Sequence, residues 1–240
     1  LEPATEYFYR FIVKSGEFEG ATSPVGRALT APEADASVDN LNLAIASCAN
    51  WESGFFAAYG DMAQRARGGE IDHVVFLGDY IYEYPTGEYA GKSGVARMHH
   101  PEWEITTLED YRQRHGRYRT DLNLQAAHAA CPWIVIWDDH ETANNSWFEG
   151  AENHTDGRVE GEWPERLSAA KQAYFEWLPV RAQSAGEEQL LYRSFTFGDL
   201  AQLTMMDLRT YRDEETTGAN FANDDRTMLG KAQFDWVAQQ

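Results

Sequence analysis

An α/β fold is predicted for this chain of 240 residues, and three observations predict it. From Leu41 onward, short apolar runs alternate with stretches of helical periodicity. Three of those runs end in compact polar clusters: Ser47-Cys48-Ala49-Asn50, Gly78-Asp79-Tyr80-Ile81-Tyr82-Glu83 and Asp138-Asp139-His140-Glu141. A fourth cluster, Asp207-Leu208-Arg209-Thr210-Tyr211-Arg212, follows the last run. Open α/β sheets bind ligands beyond the carboxyl ends of their strands, so a doubly wound sheet would gather these clusters on one edge.

The elements follow in order. Residues 5–13 alternate like an antiparallel strand, and the segments Ser23-Pro24-Val25-Gly26-Arg27 and Ala31-Pro32-Glu33 then interrupt the pattern. Residues 1–38 are therefore assigned to the end of a small β domain or to an arm on the main one, with its partner strands outside the chain. Residues 41–46 predict the first strand of the main domain, 39–240. A helix is expected from Ser53, as N-cap, to about residue 67, stopped at Gly68-Gly69. Residues 74–77 predict the second strand. Residues 85–106 form a long Gly-, His- and Pro-containing loop of the kind that covers a site. Residues 108–118 and 122–130 are helical, and the third strand, 133–137, lacks alternation and so is buried on both faces. After a polar loop at 141–162, Pro164 opens a helix to about residue 178, whose aromatics at helical spacing belong to the core. Residues 191–197 and 201–206 form a hairpin turning at Gly198-Asp199, and a last helix begins at Leu229.

Composition bounds the function. A chain of this length buries one sizeable core, and 43% hydrophobic with 13% aromatic residues excludes a disordered chain. No apolar run spans a membrane. The start has no charged region followed by an apolar one, so any signal peptide is expected to have been removed or never present. A net charge of −19 without a basic stripe argues against nucleic-acid binding. It agrees with a salt-exposed or exported protein and with oxygen-rich cation sites, and bound metal ions would still admit an anionic substrate. Cys48 and Cys131 make no disulfide framework and leave the redox compartment open.

The chemistry concentrates at the strand ends. Asp79 and Tyr82, three residues apart, offer a carboxylate and a phenol, oxygen donors suited to a hard trivalent cation; a capped strand end with a packed aromatic is the other reading. Cys48 lies between a strand and an expected helix start, where a thiolate is favoured, or else it is a buried small hydrophobe. Cys131 fits the latter and takes no role. Asp139 and His140 offer a ligand and a general acid, with Asp138 as a second ligand or as the acceptor that orients His140; the alternative is an N-cap with a loop histidine. Glu141, Asn144 and Asn145 either extend an oxygen cage or satisfy loop backbone. Arg209 and Arg212 are phosphoryl clamps or salt-bridge partners. His99 and His100 are loop residues near the site mouth.

In chain order, Ala46-Ser47-Cys48, Phe76-Leu77-Gly78-Asp79-Tyr80-Ile81-Tyr82-Glu83, Trp137-Asp138-Asp139-His140-Glu141 and Asp207 to Arg212 resemble the PhoD-type alkaline phosphatases of the calcineurin-like metallophosphoesterase superfamily. The resemblance runs over residues 41–240. It implies a four-layer α/β/β/α sandwich, preceded by the remnant of an immunoglobulin-like domain. By it, Asp79 bridges two metals and Tyr82 binds ferric iron, as in the purple acid phosphatases with their GDxxY motif. Cys48 joins the iron in place of the superfamily's Asp-x-His, Asp139 stands where the Asn-His-Glu motif has Asn, and His140 stabilises or protonates the leaving group. Arg209 would bind substrate, and Ca²⁺ accompanies Fe³⁺. The implied activity is hydrolysis of phosphate monoesters, with diesters left open, by metal-activated hydroxide in a protein exported by the twin-arginine route. One departure stands out: the superfamily draws further Asp and His ligands from late strands, whereas no histidine follows Arg212. The domain is therefore expected to be C-terminally incomplete. A metal- or phosphate-binding module without turnover is the alternative, and a sugar hydrolase using Asp79 and Asp139 is a second one.

Overall fold

In the computed structural model, residues 1–240 are described except 158, 182, 186 and 187, with 183–185, 188, 189 and 219 described by backbone alone. Its centre is a parallel sheet of β3 (Leu43–Ala46), β4 (His73–Phe76) and β5 (Trp133–Val135), following β1 (Glu6–Tyr9) and β2 (Gly26–Leu29). All four residues of β4 are buried, as the run without alternation requires of a central strand. Ala46 pairs with Phe76, and Phe76 with Val135, so the three strands end level and deliver their trailing clusters side by side.

Helices α1 (Ala57–Arg67), α2 (Leu108–Tyr118), α3 (Leu122–Ala130) and α4 (Trp163–Trp177) surround this sheet, α1 packing on α3 and α2 on α4. Local chemistry sets three of the starts. Thr107 and Asp110 form a reciprocal capping box on α2, the Asp121 side chain accepts from the Asn123 and Leu124 amides, and Pro164 sits in the first turn of α4. The start of α1 differs from expectation. Ser53 caps nothing, and the helix begins at Ala57, because Asn50 Oδ1 accepts from the Glu52 amide (2.9 Å) and folds that stretch into a turn.

The chain then forms two antiparallel pairs, β6 (Gln183–Ala185) with β7 (Glu188–Leu190) and β8 (Arg193–Phe197) with β9 (Ala201–Met205); α5 (Gly230–Val237) follows a 3₁₀ turn at Gly218–Ala222. The sequence reading missed the β6–β7 pair, whose strands are three residues each. The last hairpin forms where it was expected, as a two-stranded sheet of its own. Buried Arg193 ties it to the sheet, donating to the Val135 carbonyl (2.7 Å) and the Leu191 carbonyl (2.7 Å). Its turn residue Gly198 has φ +55, and a Cβ there would lie 2.2 Å from the Ala36 carbonyl oxygen. The incoming segment at 36–38 packs on that glycine, where Val38 N donates to Asp199 Oδ1 (3.0 Å).

At the amino end, the missing partner of the first strand proves to be inside the chain: β2 pairs antiparallel with β1, Tyr9 opposite Gly26. The Pro24-containing segment is the return of a hairpin rather than a break. A buried cation ties the two ends of the long loop at 85–106 together. The Arg114 guanidinium donates to the Tyr82 carbonyl, to Tyr84 (3.1 Å), to Pro101 (2.9 Å) and to Trp103 (3.0 Å). No helix among the described residues is long and apolar enough to cross a membrane.

Candidate metal centre

The second cluster begins with a glycine because two strand ends approach closely there. Gly78 has φ +106, and a Cβ on it would lie 2.4 Å from the Asp138 backbone nitrogen. Close contact between the segments after β4 and β5 is thus what the glycine permits. Gly78→Ala is expected to destabilise the protein by roughly 3 kcal/mol. A chemical-denaturation midpoint equal to that of the parent would refute the close contact.

Cys48 (φ +58), Asp79 (φ +57) and Asn145 (φ +52) occupy the left-handed region, three of the four non-glycine residues that do so among the described residues. Such conformations cost energy and collect where the surrounding structure over-determines them. At Asp79 buried Glu141 does so. Its carboxylate accepts from the backbone amides of Asp79 (3.1 Å), Tyr80 (2.6 Å) and Asp138 (2.9 Å). Burial and the charge of Asp79 push Glu141 up to about 8, against the pull of those three donors. Glu141 satisfies loop backbone and belongs to no oxygen cage.

Among the described residues, Asp79, Asp139 and His140 each bring a ligand atom within 4.8 Å of the others, and all three are buried. The carboxylate of Asp79 has two different surroundings. Its Oδ2 accepts from the Cys48 thiol (3.3 Å) and from the Tyr82 phenol (3.2 Å), while its Oδ1 is buried without a partner. The structure therefore brings together all five residues singled out as metal ligands or acid. An orphaned carboxylate oxygen beside a second carboxylate and an imidazole fits a cation, as does a thiol–phenol–carboxylate trio.

The electrostatics agree. Burial raises the Asp79 pKa, which His140 lowers and Asp139 and Asp138 raise. Burial likewise raises the Tyr82 phenol, with Asp79 and Cys48 adding to it. The thiol of Cys48 is also raised, by burial first, against a hydrogen bond from Ser47. That corrects the expected thiolate at a helix start: α1 begins nine residues later, so no helix dipole reaches Cys48. Cys48 is exposed as a residue while its sulfur is turned inward to Asp79. Cys131 lies in the core, as read.

The partner of His140 is a residue to which the sequence reading gave no role. Glu83, fully buried, accepts at Oε2 from His140 Nδ1 (2.7 Å), and its Oε1 accepts from Asn144 N (2.5 Å) and Asn153 Nδ2 (3.0 Å). Burial lowers the imidazole pKa, but the Glu83 hydrogen bond and charge, with Asp139 and Asp79, carry it up to about 9. Asp138 does not orient His140. It is paired with Arg209, which also lies 3.5 Å from Asp139 Oδ1 and donates to Asn145 Oδ1 (3.3 Å). Arg209 thus stands at the site as a salt-bridge partner of the two aspartates. The Arg212 guanidinium is bound by the carbonyls of Ser146 (2.9 Å) and Asn145 (2.9 Å) and is structural. His99 is buried 3.6 Å from Glu52 and stacks on Tyr118, away from the cluster.

Fold and cluster together define a mixed α/β protein with a candidate metal centre at the carboxyl edge of its parallel strands. A family model described as PhoD-like phosphatase matches residues 43–240, and the chain belongs to that family. Alkaline phosphatase D of Bacillus subtilis (strain 168) is 43% identical over 246 residues, covering 99% of this chain and 40% of that protein. A solved structure of PhoD superposes with a TM-score of 0.87 at 42% identity, over 100% of this chain and 45% of the other. A purple acid phosphatase from yellow lupin (Lupinus luteus) seeds gives a TM-score of 0.53 at 11% identity, over 100% of this chain and 34% of its own; the likeness there is one of fold. The chain spans less than half the length of these relatives.

Proposed function

We propose that the protein hydrolyses phosphate esters, monoesters first and diesters as a further class, at a two-metal centre built on Asp79. The observation that carries this is the divided environment of the Asp79 carboxylate, Oδ2 shared by Cys48 and Tyr82 and Oδ1 unpartnered beside Asp139 and His140. Thiol and phenol suit Fe³⁺, and the oxygen-rich side suits Ca²⁺. When bound, the two ions supply Lewis-acid activation of water and of the phosphoryl oxygens.

The chain's own groups supply the rest. Glu83 ties up His140 Nδ1, so the proton available to a departing alkoxide is the one on Nε2. Arg209, already between Asp138 and Asp139, is placed to exchange a carboxylate partner for a phosphoryl oxygen. The larger organisation is part of the same proposal. Residues 39–240 form the metallophosphatase domain of a four-layer α/β/β/α sandwich. Residues 1–38 are the end of an immunoglobulin-like domain, or an arm, and the protein is exported.

Excess chelator is the direct test, read as hydrolysis of a chromogenic phosphate monoester and diester alongside elemental analysis. Turnover is expected to disappear with the metal and to return on adding iron and calcium. Iron and calcium bound without turnover would instead favour a binding module. Undiminished hydrolysis of a sugar substrate in chelator would favour the carboxylate-pair glycosidase.

A further inference from the structure

Over the candidate centre lies an aromatic stack, two of whose members, Tyr84 and Tyr89, the chemistry above does not use. Tyr89, from the long loop at 85–106, stacks on Tyr82 (centroids 5.4 Å apart, 20° between planes) and on Tyr84 (5.1 Å, 23°). Its ring is also 5.7 Å from the His140 ring at 42°. Tyr82 in turn stacks on His140 at 4.3 Å. Burial within this group is uneven. Tyr82, Tyr84 and His140 are 4%, 8% and 6% exposed, whereas Tyr89 is 49% exposed. Tyr89 is therefore the member of the stack that a molecule arriving from solvent meets.

Its position is specified rather than incidental. The Asn50 side chain donates to the Tyr89 carbonyl (3.0 Å), and Asn50 lies two residues after Cys48. Glu52, from the same stretch, accepts at Oε1 from the Gly87 amide (2.6 Å) and at its carbonyl from the Ala96 amide (2.8 Å). The loop is thus fastened on either side of Tyr89 to the segment that carries Cys48.

We propose that Tyr89 is a specificity-determining residue, the wall against which the leaving group of the ester packs, and that it favours aryl or other planar leaving groups over small aliphatic ones. This rests on the phosphatase reading. Glu83 fixes which ring nitrogen of His140 faces a departing oxygen, so the leaving group must lie beside that ring, and the half-exposed ring next to His140 is Tyr89. A flat π surface rewards a planar group by offset stacking and gives a glycerol-like group only edge contact.

The test compares phenyl phosphate with glycerol phosphate on the metal-loaded protein, for wild type and for Tyr89→Ala, Tyr89→Phe and Tyr89→Leu. Relative to wild type, the ratio of kcat/KM for phenyl phosphate over glycerol phosphate is expected to fall roughly 3- to 10-fold in Tyr89→Ala and Tyr89→Leu and to be retained in Tyr89→Phe. Equal losses on both substrates would mean that Tyr89 only packs Tyr82 and His140, and unchanged kcat/KM on both would mean that the leaving group lies elsewhere. Either overturns the proposal. Calorimetric binding of phenylphosphonate against methylphosphonate separates its failure from failure of the phosphatase reading. If wild type turns over neither ester, the phosphatase reading falls. The wall then stands only if phenylphosphonate binds more tightly than methylphosphonate and Tyr89→Ala narrows the difference; no difference, or no binding, ends it.

Discussion

Replacing Asp79 by Asn is expected to abolish both metal content and phosphate-ester hydrolysis, lowering kcat/KM by roughly 10³-fold or more. Asp79 is the residue at which every candidate ligand meets. The thiol of Cys48 and the phenol of Tyr82 converge on one of its oxygens, and its other oxygen is buried beside Asp139 and His140. Asn preserves size and one acceptor but removes the charge that two cations would share. Stability should move the opposite way. Burial, together with the charges of Asp139 and Asp138, raises the Asp79 pKa, so its ionised form is unfavourable in the folded state without metal. In chelator at neutral pH, the Asn variant should therefore melt at the same temperature as the parent or higher. Wild-type activity with wild-type iron in Asp79→Asn would end the two-metal proposal, whatever the melting temperature.

The second large effect is expected at Glu83. Glu83→Gln keeps an oxygen for the Asn144 amide and the Asn153 side chain but offers His140 Nδ1 no negative charge. Loss of positioned acid catalysis is expected to lower kcat by about 10²-fold. A pH-dependent stability should vanish with it. His140 titrates at about 9 when folded, above its ordinary value of about 6.5. The protonated folded form therefore contributes stability that is complete below about pH 6.5 and is lost as pH rises through 9. In chelator, the parent should lose on the order of 2–3 kcal/mol over that window, and Glu83→Gln little of it. Identical stability–pH curves for the two proteins would show that Glu83 does not hold the proton on His140.

Much of this was written in local chemistry. The apolar run before Gly78, the capping box at Thr107 and Asp110, Asp121 before α3 and Pro164 at the head of α4 each act within a few residues of themselves, so α2, α3, α4 and the three parallel strands were legible. Cys48, Asp79, Tyr82, Asp139 and His140 were legible too, because level parallel strands place whatever follows them on one edge. The misplaced start of α1 and the pairing of β1 with β2 were not. The first turned on an Asn50 side chain competing for backbone, and the second on a return strand of four residues.

Tertiary structure alone decided how the polar groups divide their work. Asp138 and Glu141 stood beside Asp139 in the sequence as further possible ligands, yet one is taken by Arg209 and the other by three backbone amides. Glu83 gained its role by meeting His140 across 57 residues of chain, and Tyr89 by a loop that brings its ring beside that of His140. Sequence by itself determined which chemical groups stand at the carboxyl edge, because strand ends and turns are short-range matters. Which of them face one another depends on long-range packing, where burial and charge choose a partner for each ionisable group, and no local pattern encodes that choice.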